Sequence, residues 1–219
     1  MISVTPVHGA SQSHHHETSL NDTFDFLNTV KLDSGSLVDG LPTFDVAARW
    51  LTERGIAHDD LATAASAGAA ALERVRAVRA ALREVVHAID EERPADPDAL
   101  AEVNRAIAGR ERIELVQDPD GVSVGHSHVG DPLDDALARL ADPIVAEIQA
   151  GHLHRMRICD NETCRWLFYD ESRAGRRRWC EMSSCGNRAK AARHRARLKA
   201  LEAPATDANA DAKAGPGIV

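Results

Sequence analysis

Four cysteines, the only ones among 219 residues, constrain most strongly what this chain can fold into. They form two close pairs, Cys159-x4-Cys164 and Cys180-x4-Cys185, separated by 15 residues. Two close pairs around a short central segment can bring four thiolates to one tetrahedral ion. Thiolate sulfurs suit Zn²⁺, and four of them leave no open coordination position. The spacing therefore predicts one structural zinc ion per chain, held by Cys159, Cys164, Cys180 and Cys185.

Other uses of four thiols stay open at this point: an iron–sulfur site, a redox disulfide pair, or unrelated buried thiols. Residues 1–19 contain no basic region followed by an apolar run, so they do not resemble a secretory signal. We find no stretch long and apolar enough to span a bilayer. We therefore expect a cytoplasmic protein without a membrane partner, and a reducing compartment favours metal thiolates over disulfides.

The charge of the chain is divided unevenly along its length. Residues 155–199 carry 13 Lys and Arg against 5 Asp and Glu, whereas the rest of the chain carries 13 against 29. The overall net charge of −8 would by itself argue against nucleic-acid binding. A phosphate backbone is bound by a segment, however, so the asymmetry makes DNA the expected partner of residues 155–199.

The cations of this segment form two groups, one between the cysteine pairs and one in a helix-favouring stretch after Cys185. Together they are the predicted DNA-binding residues: Arg173, Arg176, Arg177, Arg178, Arg188, Lys190, Arg193, Arg195, Arg197 and Lys199. At 100° per residue, the helical group occupies two nearly opposite sides. Such a helix suits a groove with phosphates on both flanks. The alternative is a solvated helix that docks on the acidic part of the same protein.

Ahead of the cysteines, hydrophobic periodicity predicts a mostly helical domain at residues 19–153. Residues 23–32 read as a short helix or extended segment, 35–42 as a loop, and Thr43 as the cap of a second helix. Further helical patterns cover residues 69–89 and 98–109, and another opens at Asp131 and contains Pro143, which can kink or split it. Between them, β-like runs at 112–117 and 122–129 predict one hairpin around Asp118-Pro119-Asp120-Gly121.

These patterns predict an α+β fold, mostly α, followed by a small zinc-binding domain at residues 154–200. Residues 1–18 and 201–219 lack periodicity and are expected to be disordered tails. Between the cysteine pairs, the run Trp166-Leu167-Phe168-Tyr169 predicts a strand of a hairpin. Trp166, Phe168 and Trp179 more readily form a small core there than a platform for stacked bases.

The C-terminal segment also resembles a known family. Cys164-Arg-Trp-Leu-Phe-Tyr, Arg178-Trp179-Cys180 and above all Cys185-Gly186-Asn187-Arg188 are similar to the CGNR zinc fingers of bacterial proteins, over roughly residues 157–197. The order of the cysteine pairs and the helix resembles a treble clef. Phe24-Asp-Phe-Leu-Asn28-Thr29 is similar to the opening of the ABATE domain that precedes such fingers. The resemblance implies a stress-induced transcription regulator with a DNA-binding finger, and it leaves the role of the N-terminal domain undefined.

Individual residues of the motif carry their own expectations. Gly186 permits a close backbone approach or unusual dihedrals beside the metal. Asn187 is expected to cap the helix through its side-chain oxygen, and Arg188 to contact either a phosphate or the hairpin. Arg165 stands where a small residue, often Gly, is expected, so a positive φ at that position would cost stability.

Signals for an enzyme are weak. Gly121-Val-Ser123-Val-Gly125 fits the G-x-S-x-G pattern of hydrolases, but its serine falls in a β run where the motif needs a strand-to-helix turn. His126 and His128 share a strand face without an evident third metal ligand. We therefore expect no enzyme.

The function predicted from the sequence is DNA binding in transcription regulation, with an N-terminal domain that senses a small-molecule ligand or forms a homodimer. The alternative is a zinc-stabilised module that binds protein or RNA without sequence-specific recognition of DNA.

Overall fold

The computed structural model describes residues 18–33, 35–57, 61, 68–108, 112–119, 121–127 and 131–202. Six helices form in this part of the chain: α1 Leu20–Leu27, α2 Phe44–Glu53, α3 Ala69–Asp90, α4 Pro97–Ala108, α5 Pro132–Gln149 and α6 Asn187–Glu202. Six strands pair antiparallel in three hairpins: β1 Val30–Asp33 with β2 Ser36–Asp39, β3 Arg112–Asp118 with β4 Gly121–Ser127, and β5 Met156–Ile158 with β6 Leu167–Tyr169. The predicted α+β, mostly α class is confirmed.

Two compact units make up the chain, and the first ends at Cys180. It holds α1 to α5 and all three hairpins. The second begins at Glu181 and contains a short π-helical turn, Met182–Gly186, followed by α6. The predicted tails lie outside the described residues, apart from Thr18, Leu201 and Glu202, of which the last two belong to α6.

The first helix ends earlier than the apolar periodicity of residues 23–32 predicts. Ser19 and Asp22 form a reciprocal capping box at its start, and Asn28 caps its end. A strand follows at once, because Val30 and Leu32 alternate with polar neighbours as a half-exposed strand requires. Residues 35–42, expected to be a loop, contain β2, and Gly35 makes the turn at φ +85°. The β1–β2 hairpin is therefore a second hairpin that the sequence reading missed.

The other elements of the first unit follow the sequence patterns closely. Thr43 accepts a hydrogen bond from Val46 N at 3.4 Å and caps α2, as predicted. The hairpin at Asp118 is confirmed, with Asp118 paired to Gly121. Pro143 lies inside α5 without splitting it. None of the helices in the described ranges combines the length and apolarity needed to cross a bilayer.

The core of the first unit lies between α1, α3 and α5. Helix α3 gives it one apolar face, and the residues of that face recur at helical spacing: Val75, Val78, Leu82, Val85 and Val86. Phe26 and Leu27 of α1 and Leu140 of α5 are completely buried against it. Burial of each such side chain contributes roughly 1.5–3 kcal/mol to the free energy of folding.

Residues that follow position 153 also contribute to this core. Met156, Ile158 and Leu167 belong to the same buried cluster, and all three are at most 1% exposed. Strand β5 packs against α3, and β6 packs against α1. The β5–β6 hairpin, assigned from sequence to the zinc-binding domain, is therefore part of the packing of the helical one.

Polar contacts reinforce this junction. Asn28, only 4% exposed, donates its amide to Leu167 O at 2.8 Å and accepts from Leu167 N at 3.0 Å. Arg157 donates to Asp90 at the end of α3, at 2.7 Å. Both backbone groups of Leu167 face the helices and not a third strand. The Asn28 side chain therefore satisfies the hydrogen-bonding groups of this sheet edge.

We predict that Asn28→Ala lowers the free energy of unfolding of the full chain by about 2–4 kcal/mol, because two buried backbone groups lose their partner. Urea denaturation measures the change. Asn104→Ala on the exposed face of α4 is the matched control, with an expected change within about 0.5 kcal/mol. An Asn28→Ala variant as stable as the control would show that the bridge to β6 contributes little.

Candidate metal centre and basic helix

The first cysteine pair lies in the loop that joins β5 to β6. The two strands pair Met156 with Tyr169 and Ile158 with Leu167. Cys159 N then donates to Trp166 O at 2.9 Å and continues the ladder by one residue. The hairpin expected between the cysteine pairs is thus corrected: its first strand precedes Cys159, and the first pair sits within its loop.

That loop closes by hydrogen bonds around Asn161. Its carbonyl oxygen accepts from Cys164 N at 2.8 Å and from Arg165 N at 3.0 Å. Its side-chain oxygen accepts from both the backbone N–H and the hydroxyl of Thr163, at 3.2 and 3.0 Å. The chain then passes through Arg165 at φ +51°, which is the left-handed conformation anticipated for this position.

The four cysteine sulfurs come together. They all lie within 4.8 Å of one another, and Cys164 Sγ is 3.8 Å from Cys180 Sγ. In a tetrahedral site with Zn–S bonds of about 2.3 Å, neighbouring sulfurs are about 3.8 Å apart. A disulfide needs sulfurs about 2 Å apart, so no disulfide joins these four cysteines, and the disulfide interpretation does not describe this structure. The residues fit a metal site with four cysteine ligands.

The environment of the sulfurs favours the neutral thiol when no cation is bound. Burial and the neighbouring Cys159 and Cys164 raise the pKa of the Cys180 thiol. Cys159 and Cys185 are buried, and the other two are half-buried. A divalent cation at their centre reverses this preference, because it stabilises thiolates that would otherwise repel one another.

The second cysteine pair ends in a tight turn that begins α6. Gly186 N donates to Glu181 O at 3.1 Å, five residues back. A Cβ at Gly186 would lie 2.2 Å from the sulfur of Met182, so the glycine permits a close side-chain approach and not a positive φ. Asn187 does not cap the helix with its oxygen: its Nδ2 donates to Ser183 O at 2.9 Å. The π-helical turn continues directly into α6, which removes the need for a cap.

A buried carboxylate, which the sequence reading did not single out, organises the central loop. Asp170 is completely buried and accepts from Ser172 N at 2.9 Å and from Arg177 N at 2.7 Å. Burial alone would raise the pKa of this carboxyl, but the hydrogen bonds from Ser172 and Arg177 outweigh it and lower the pKa. Arg155 donates to Asp170 O and to Ser172 O. The spacing Asp170-x-Ser172, typical of an Asx turn, is the sequence signal that could have found it.

Two of the predicted DNA-binding arginines make contacts within the first unit. Arg177 donates to Cys180 O, and its guanidinium lies 5.2 Å from the centre of the Phe168 ring. Arg178 donates to Asp160 at 2.5 Å while its own backbone carbonyl accepts from Asp160 N at 2.9 Å. The structure thus ties the loop before Cys180 to the loop after Cys159.

The other two cations of the central loop, Arg173 and Arg176, are exposed. Arg178 also keeps 61% of its side chain exposed. Of the three aromatic residues expected to form a small core, Phe168 is buried, whereas Trp166 and Trp179 are half-buried. The central loop therefore has exposed arginines next to partly buried aromatic side chains.

Helix α6 is basic and exposed along its length. Its six predicted DNA-binding residues are all exposed: Arg188, Lys190, Arg193, Arg195, Arg197 and Lys199. Its leucines, Leu198 and Leu201, are 47% and 75% exposed. The helix has no apolar stripe, and its first acidic residue is Glu202. Its surface is therefore suited to a polyanion and not to a protein core.

Paired cysteines, a knuckle between two short strands and a following helix define the zinc-finger class of site. The chain belongs to the ABATE family, whose model, described as "Putative stress-induced transcription regulator", matches residues 23–151. A second family model, the CGNR zinc finger, matches residues 155–198. The family resemblance inferred from sequence is thereby confirmed. No curated protein matches the chain.

The positive φ at Arg165 yields a test of the knuckle geometry. We predict that the free energy of unfolding of the Arg165→Val variant is about 2 kcal/mol lower than that of Arg165→Gly. A β-branched residue is strongly disfavoured at φ > 0. Both variants lose the exposed ion pair with Glu91, so their difference isolates the backbone term. Urea denaturation of the zinc-loaded protein measures it, and equal stability of the two variants would contradict the left-handed assignment.

Proposed function

We propose that this protein is a DNA-binding transcription regulator of the cytoplasm. In this proposal one zinc ion per chain stabilises the segment that carries the cysteines, and α6 contacts the DNA. The observation that carries the proposal is the exposed, uniformly basic surface of α6 directly after the second cysteine pair. The family description supports the regulatory role.

The zinc ion has a structural role in this proposal. Four cysteine ligands fill the tetrahedral shell, so no position is left for water or substrate. The four sulfurs would hold the ion, and the Asn161 turn, Asp170 and Arg177 would keep the surrounding loops in place. The metal would supply stability to a segment with few apolar side chains of its own.

DNA affinity would come from phosphate contacts, with any base reading left to a few side chains of α6. An α-helix fits the major groove, and cations on two sides of the helix can reach phosphates on both flanks. Arg173, Arg176 and Arg178 can add contacts from the central loop. Arg177 is half-buried, so we assign it mainly to holding the loop.

The motif that hinted at an enzyme has a different geometry in the structure. Ser123 lies in the middle of β4, opposite Val116, and not on a strand-to-helix turn. His126 lies on the same strand, and His128 lies outside the described residues. The two matching families are a regulator and a zinc finger, neither of them an enzyme family.

We predict that the purified protein contains one zinc ion per chain and that Cys180→Ser loses it. Metal analysis measures the ion, and cobalt substitution reports thiolate coordination by its absorption band. Helical circular dichroism should largely persist, because the buried apolar helix positions precede residue 150. Ser183→Ala, exposed and in the same turn, is the control that should keep the metal. Protein without zinc, or with the visible band of an iron–sulfur cluster, would refute the assignment.

We predict that the logarithm of the DNA association constant falls with the logarithm of salt concentration at a slope of about −5, as expected for about six phosphate contacts. Fluorescence anisotropy with a labelled random duplex measures it. The triple variant Arg193→Gln, Arg195→Gln, Arg197→Gln should reduce the slope to about −3. The control Lys31→Gln, Arg49→Gln, Arg105→Gln makes the same charge change at exposed positions of the first unit and should leave the slope unchanged.

Two outcomes would redirect the proposal. A slope near zero for the unmodified chain would remove phosphate binding and favour a zinc-stabilised protein-interaction module. Equal or stronger binding of duplex or single-stranded RNA under the same conditions would favour an RNA-binding module. Selection of bound sequences from a random DNA pool would then decide whether any DNA recognition is sequence-specific.

A further inference from the structure

An open cleft of about 600 Å³ lies within the first unit, between the β1–β2 hairpin and one face of α3. Its walls combine two kinds of side chain. Val30, Leu37 and Ala80 give it an apolar part, and the arginines of α3 give it a cationic part. The volume lies in the range of small-molecule sites, which are usually apolar with a few converging polar groups.

Most charges in the cleft are paired with one another. Arg79 is nearly buried and donates both Nη atoms to Asp39, at 2.8 and 2.7 Å. Arg93 makes the same fork with Glu84, at 2.6 and 2.9 Å, and also contacts Glu91. Bidentate pairs of this kind cancel their own charge and hold the walls of the cleft.

Arg83 is the exception. Its Nη1 donates to Leu27 O at 2.6 Å and to Val30 O at 3.2 Å, and within the described residues no carboxylate lies at ion-pair distance. Burial and the nearby charge of Arg79 lower the pKa of the Arg83 guanidinium. A half-buried cation bonded only to carbonyl oxygens is stabilised by an anion from outside.

Arg76, one turn before the Arg79 pair, adds a second incompletely satisfied group. Its Nη1 donates to Glu73 at 3.0 Å and its Nη2 to Pro42 O at 3.2 Å, whereas its buried Nε makes no hydrogen bond and lies 3.5 Å from an oxygen of Asp39. A buried donor without an acceptor is unusual in native structures, and a bound molecule that supplies the acceptor is one explanation for it. The two groups lie on the same helix face, seven residues apart, and both line the cleft.

The apolar wall is equally unusual for a surface. Leu37 is 70% exposed on the four-residue strand β2, and it faces the cleft. We propose that the cleft binds a small organic anion, with its acidic group at Arg83 and Arg76 and its apolar body against Leu37. This inference deepens the proposed function, since it assigns a ligand class to the N-terminal domain of the proposed regulator.

The site also adjoins the metal centre. A smaller space of about 150 Å³ shares Val30, Leu37 and Arg83 with the cleft, and Cys164, Arg165 and Trp166 form its other side. An occupant of the cleft would therefore contact Val30, Leu37 and Arg83, which also line the smaller space beside the knuckle. Ligand binding is in this way placed where it can bias the segment that carries the cysteines.

The probe for this proposal is 8-anilinonaphthalene-1-sulfonate, which carries an anionic group on an apolar body and fluoresces when bound. Titration of the full chain without DNA measures its dissociation constant. Leu37→Glu places a carboxylate in the cleft and should weaken binding by at least about tenfold, whereas Leu37→Gln, which removes only the apolar wall, should weaken it about threefold. Leu115→Glu changes a comparably exposed leucine on β3 and should have no effect.

The cationic part is tested in the same assay. Arg76→Gln should weaken binding about fivefold, and the exposed Arg105→Gln on α4 should not. Octanoate should displace the probe at concentrations where inorganic phosphate does not. Equal binding by Leu37→Glu and the unmodified chain would overturn the site, and displacement by phosphate alone would overturn the organic ligand class. Neither result depends on DNA, so the salt slope of DNA binding remains a separate test of the proposed function.

Discussion

The β5–β6 hairpin is the element on which both parts of the structure depend. Its buried side chains, Met156, Ile158 and Leu167, complete the core of the helices, and its loop carries the first cysteine pair. Asn28 fixes its outer edge by bonding both backbone groups of Leu167. The same three-residue strands belong to the core and hold the loop of the first cysteine pair. A displacement of the core therefore moves this loop, and a displacement of the loop moves the core.

This double use explains why the sequence predicts the helices and hairpins more readily than the packing between them. Apolar periodicity predicts α3 to within one residue, because about twenty residues of regular spacing leave little choice. A three-residue strand such as β5 has no period to read, and its membership of the helical core depends on contacts made far away in the chain. Asn28 at the end of α1 adds a contact of the same long-range kind, because it bonds to Leu167.

The metal centre was predictable in a different way. The spacing of the two cysteine pairs is enough to identify the four candidate ligands, and their sulfurs lie within 4.8 Å of one another. The residues that position the cysteines have no comparable sequence pattern. Asp170 and Arg177 act through backbone groups and a carbonyl, and these contacts depend on loop conformations that spacing does not specify. Composition predicts Arg177 as a DNA-binding residue, and the structure adds that Arg177 is half-buried with its guanidinium over the Phe168 ring. Counting cations identifies a basic segment but not which of its members are already bonded.

Helix α6 buries no apolar face, so packing contributes little to its stability. It has no apolar stripe, and most of the stability of helices in proteins comes from packing of such a stripe. Its alanines, arginines and lysines favour the helix, but the like charges three and four residues apart oppose it. The turn of Met182–Gly186 fixes its first residues, and the helix contains no acidic residue before Glu202. Neutralisation by phosphates would therefore strengthen the helix as it binds, so folding of its far end and binding to a polyanion are expected to be coupled.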